Sequence, residues 1–125
     1  MVIDPYDPSI DPRREIEFRR EEVQGLERWR PHGLNDRGRE TIRICGLDRP
    51  SLLTKYKSHV REVVWPKVER FLGVAETGIH HEIVGAWRTL MWGLFGEYQP
   101  FQALSRDATR VLVPDALRAR YQLTL

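Results

Sequence analysis

At 125 residues the chain has room for one modest hydrophobic core and not for two. A hydrophobic fraction of 41% beside 30% charged residues excludes a natively disordered polyelectrolyte, and no apolar run approaches the ~18–20 residues that span a bilayer. The formal net charge of +2 excludes a strong bulk attraction to nucleic acid, although the basic residues are skewed to seventeen Arg against three Lys.

Residues 1–12 read as an extended arm. Asp-Pro recurs at Asp4-Pro5, Asp7-Pro8 and Asp11-Pro12, and each proline restricts itself and the residue before it to non-helical backbone. The arm holds three carboxylates and no basic side chain, with Val2, Ile3, Tyr6 and Ile10 as its apolar groups. Tyr6 and Ile10 are therefore expected contacts with another surface. The single cysteine, Cys45, excludes an internal disulfide and suits a reducing compartment. The opening residues MVIDPYDP lack the basic and apolar regions of a secretory leader, so a cytoplasmic location is expected.

Asp11-Pro12 predicts a helix start, and Arg13–Arg30 reads as a charged helix laced with Arg/Glu pairs. Pro31 and Gly33 end it, and the turn-rich HGLNDRGRE follows as a loop. Ile42 and Ile44 alternate with polar neighbours in Thr41–Cys45, a short strand signal. From Asp48 and Pro50, the series Leu52, Leu53, Tyr56, Val60, Val63 and Val64 predicts an amphipathic helix. Trp65-Pro66 is expected to kink or break that helix, with a continuation to Leu72 that Gly73 ends.

Thr77–Tyr98 predicts the central helix, capped by Thr77 and stopped by Gln99-Pro100. It is apolar around more than one face, so Trp87 and Trp29 are read as core; Trp92, off the main apolar line, is read as core first and as an interface anchor if exposed. Gly85, Thr89 and Gly93 recur every four residues along one line. Glycine inside a helix costs about 1 kcal/mol relative to alanine, so close packing against another helix is the expected compensation. A helix of the same chain is preferred as that neighbour over a partner protein. Beyond it, Arg110–Val113 reads as a strand and Pro114–Tyr121 as a short helix. The tail resembles a segment of the swapped-hairpin DNA-binding proteins of the AbrB and MraZ type at Arg110, Pro114, Leu117 and Arg118. Thr109 stands where that pattern has glycine, the stretch is short and of common residue types, and the chain is not assigned to that family.

The expected fold is mainly α: a small helical bundle of three to four helices in a single domain over residues 13–125. A minor two-stranded β element from Thr41–Cys45 and Arg110–Val113 and the extended arm complete it. No phosphate loop, dinucleotide fingerprint or nucleophile elbow occurs, so no catalytic residue and no cofactor are expected. The favoured function is a non-enzymatic protein-interaction module, an adaptor, inhibitor or structural subunit. Its expected interface is Tyr6, Ile10, Gly85, Arg88, Thr89, Trp92 and Gly93. The first alternative is a nucleic-acid accessory protein using Arg13, Arg20, Lys55, Lys57, Arg61 and Lys67. The second is a metal-binding protein around His80 and His81, but side chains of adjacent helical residues diverge by about 100° and do not converge on one ion.

Overall fold

In the computed structural model of the chain, residues 15–96 and 101–125 are described. The expected contacts Tyr6 and Ile10, the basic Arg13, and the stop at Gln99-Pro100 lie outside the described residues. The fold is mainly helical with one two-stranded antiparallel sheet. The chain divides into two compact units, Met1–Ser58 and His59–Leu125.

In the first unit, the segment expected to be a helix over Arg13–Arg30 is instead a β-hairpin, with β1 at Ile16–Val23 and β2 at Leu26–Gly33. Gln24 and Gly25, at φ 53 and 79, form the two-residue connection whose left-handed backbone suits strand twist. In the register Phe18 pairs Pro31, Arg20 pairs Trp29 and Glu21 pairs Arg28. Ile16 and Phe18, with Trp29 and Pro31, therefore share one face, while Glu17, Arg19, Glu21, Arg28, Arg30 and His32 share the other. Ion pairing explains why the segment also looked helical: Arg19–Glu17 at 3.1 Å and Arg28–Glu21 at 3.1 Å satisfy charges along and across strands instead of along a helix. Pro31 is tolerated because both strands of a two-stranded sheet are edges.

The second correction is α1, Asp36–Cys45, where the sequence pointed to a strand at Thr41–Cys45. Asn35 caps it, its side chain accepting from the Gly38 N–H at 2.8 Å, and Gly46 closes it in the left-handed conformation. Five residues of apparent alternation were too short to reveal a ten-residue helix with good caps at both ends. Gly38 is required here, because a Cβ would collide with the Glu15 carbonyl oxygen. Helix α2 spans Pro50–His59, with Pro50 at its first position, as its sequence predicts. Tyr56 donates to the Leu47 carbonyl at 3.0 Å and meets Phe18 edge-on at 5.1 Å.

In the second unit a π-helical turn, Val60–Val64, precedes α3 at Trp65–Ala75. At Trp65-Pro66, where a kink or break was expected, the helix continues through this π-helical turn. Proline lacks an N–H and crowds the carbonyl four residues back. Here the register widens instead, and the Trp65 N–H reaches the Val60 carbonyl five residues back. Gly73 lies within α3 and does not end it. Helix α4 spans His80–Phe95, a shorter version of the expected central helix. Thr77 acts just before it, accepting from the Ile79 N–H at 3.3 Å. The third correction is α5, Gln102–Leu112, a helix where Arg110–Val113 was expected to be a strand. The apolar alternation there belongs to the last turn of an amphipathic helix that buries Leu104 and Ala108 and hands over to a buried, extended Val113. Helix α6, Asp115–Arg120, matches its prediction. The core of this unit collects Val64, Val68, Phe71, Ile83, Leu90, Leu94 and Leu104, each at most 3% exposed. Each such side chain contributes roughly 1.5–3 kcal/mol by leaving water.

Candidate interaction groove

Helix α4 has one buried stripe, Ile83, Trp87, Leu90 and Leu94. Trp87 is central to it. Its ring meets Phe71 edge-on at 5.2 Å, and its indole N–H donates to the Thr124 carbonyl at 2.9 Å. That bond ties the C-terminal segment to the helix, and Tyr121 and Leu123 are buried beside it. The segment and α4 enclose an open groove of about 750 Å³, lined by Trp87, Arg88, Met91, Trp92, Phe95 and Tyr121 among others.

Trp92 corrects the expectation of a core residue: it is 79% exposed, the most exposed of the large hydrophobic side chains described. Arg88 lies one helical turn before it and is likewise exposed, with no ion pair among the described residues. Among the described residues, Arg88 is the only charged group in the groove wall, which contains no carboxylate. At one end the Arg120 guanidinium lies 5.4 Å from the centre of the Tyr121 ring, and the His80 ring lies 5.6 Å from it.

Among the described residues, the small-residue line meets another helix only at Gly93. Gly85 is exposed, and a Cβ there would meet nothing within 4 Å among the described residues. Thr89 is exposed and donates its hydroxyl to the Gly85 carbonyl at 3.1 Å. Gly93 faces the aliphatic part of Lys67, 3.3 Å from where its Cβ would stand. The structure thus brings Arg88 and Trp92 into the groove wall and leaves Gly85, Thr89 and Gly93 out of it.

The residues of the nucleic-acid alternative lie on different elements. Arg20 is exposed on β1, and Lys55 and Lys57 lie on α2 in the first unit. Arg61 lies in the π-helical turn, and Lys67 is partly covered on α3. Arg20 and Arg28 belong to opposite faces of the hairpin, so the two do not join in one basic ridge. Burial alone would push the Glu21 carboxyl up, but hydrogen bonds from His32, at 2.7 Å, and from Arg28 outweigh it and hold the carboxyl below its usual range. His80 and His81 are both exposed, and no group of three or more His, Cys, Asp or Glu able to hold a metal ion occurs among the described residues.

A buried polar pair has no counterpart among the motifs of the sequence. His59, at the end of α2, lies 2.7 Å through its Nε2 from the Ser105 hydroxyl, and the Phe101 ring covers it at 5.2 Å. Burial pushes the imidazole pKa down. Ser105 is fully buried, so its oxygen is closed to any substrate, and the pair is a satisfied core contact. The two residues are 46 positions apart, and no local pattern relates them. The groove wall from Tyr121 onward is illegible in the sequence for the same reason: contacts between distant segments place it, among them the bond from Trp87 to Thr124.

No protein-family model, curated protein or solved structure matches the chain. Among the described residues, no helix is long and apolar enough to cross a membrane.

Proposed function

We propose that this chain is a non-enzymatic protein-interaction module of the cytoplasm, an adaptor, inhibitor or structural subunit that binds through the outer face of α4. The observation that supports it is Trp92, an indole left 79% exposed on the rim of a groove whose wall also holds Trp87, Met91, Phe95 and Tyr121. Tryptophan and arginine together are the side chains that most often dominate binding energy at protein interfaces. Trp92 and Arg88 stand one turn apart, and both are exposed among the described residues. A partner that covers the indole removes its apolar surface from water at roughly 25 cal/mol per Å².

A photo-reactive amino acid at position 92, compared with one at the exposed Arg70 on α3, tests the reading in cells. A discrete protein adduct from position 92 and none from position 70 is expected. No adduct from 92, or the same adducts from both positions, removes it.

A further inference from the structure

Resting on that interaction reading, we infer that the groove beside α4 takes the Asp-Pro arm, residues 1–12, of a second copy of this chain. Two charge patterns carry the inference. Among the described residues the groove wall holds one charge, the exposed Arg88 without an ion pair, and no carboxylate, while Arg120 and His80 lie against the Tyr121 ring. The arm has the opposite pattern, with Asp4, Asp7 and Asp11 and no basic side chain. Carboxylates at these spacings carry apolar groups between them, Tyr6 after Asp4 and Ile10 before Asp11. That interleaving suits a groove whose one wall cation, Arg88, is set among aromatic rings, since guanidinium groups bind carboxylates and stack on rings.

The arm's chemistry also fits an extended occupant. Prolines at 5, 8 and 12 oppose a helix and limit the conformational entropy lost when an extended peptide is bound. Twelve extended residues reach roughly 40 Å, ample to cross from one copy to another. Exchange in both directions gives a two-fold dimer, in which each arm fills the other copy's groove. Attraction between Arg88 and the aspartates makes the association salt-sensitive.

Sedimentation of the full chain over a range of concentrations tests this. The wild type is expected to pass from one copy to two as concentration rises, with weaker association at high salt. Arg88→Glu, and separately the triple variant Asp4→Lys, Asp7→Lys, Asp11→Lys, should each weaken self-association by about tenfold or more. Mixing those two variants should restore the dimer, because each groove then meets an arm of opposite charge. A wild type of constant single-copy mass overturns the inference, as does an Arg88→Glu chain that dimerises unimpaired or a mixture that stays monomeric. A single-copy wild type whose position 92 still cross-links to another protein would leave the interaction reading standing and remove only the arm as occupant.

Discussion

Helix α4 carries two tryptophans five positions apart with opposite fates. Trp87 is 5% exposed, with its ring on Phe71 and its N–H bonded to Thr124; Trp92 is 79% exposed. Five positions on a helix turn the side chain through about 500°, or 140° net, so one ring packs inward at the base of the groove while the other stands out at its rim. The inner face is defined by packing and a satisfied N–H, and the outer face by the absence of both. An apolar residue type alone says nothing about which role it has. Its neighbours in space do.

The largest expected effect breaks the inner face. Trp87→Ala should destabilise the protein by about 3–5 kcal/mol in urea unfolding, because it leaves a cavity beside Phe71 and frees the C-terminal segment. A loss below about 1 kcal/mol would mean that the inner stripe does not hold this unit together.

The same glycine-to-alanine swap should give opposite signs in two helices. Gly38→Ala should cost about 1–3 kcal/mol, because the new methyl meets the Glu15 carbonyl oxygen. Gly85→Ala should instead stabilise by about 0.5–1 kcal/mol, since the site is open and alanine is the better helix former. A destabilising Gly85→Ala would show that something packs on that line.

The buried His59–Ser105 pair predicts a pH dependence. The folded His59 pKa lies below the ordinary 6.5, so between those values the unfolded chain binds more protons. The stability from keeping His59 neutral is complete above about pH 6.5 and is lost as pH falls toward the folded value, at no more than about 1.4 kcal/mol per pH unit. Glu21, whose folded pKa is lowered below 4.5, adds a separate loss as pH falls below the carboxylate range. Urea midpoints against pH should show both limbs, and His59→Gln should remove only the upper one.

The smallest effect is expected on the outer face. Trp92→Ala should change stability by no more than about 0.5 kcal/mol, as for other exposed positions that make no structural contact. Its effect belongs to binding, and cross-linking and sedimentation should report it. A loss of several kcal/mol would mean that Trp92 is part of the core.

Periodicity made the amphipathic helices legible. Leu52, Tyr56 and Val60 repeat at helical spacing, the apolar line of Ile83, Trp87, Leu90 and Leu94 does the same, and α2, α4 and α6 stand where they were expected. The hairpin was illegible because Arg and Glu alternate in a way that satisfies charge pairing in either backbone form. Gly25 at the middle of that segment was the available signal, being compatible with the left-handed turn that joins β1 to β2. At Arg110–Val113 two valines outweighed the amphipathic run before them. In the site, Arg88 and Trp92 are legible in the sequence, but of the nearby Gly85–Thr89–Gly93 line only Gly93 meets another helix, through the Lys67 side chain of α3, while Gly85 is open among the described residues.

By itself the sequence determined a mainly helical chain, one long apolar helix near its middle, an acidic Asp-Pro arm and the lack of recognisable catalytic motifs. Those properties are local: they depend on residue type and on spacings of a few positions. Only the tertiary structure decided that Trp87 is core while Trp92 is exposed, that Arg88 lines a groove, and that His59 and Ser105 share a buried bond. These depend on which distant segments meet, Thr124 against Trp87 above all, and side-chain burial is set by that meeting and not by the residue's own chemistry.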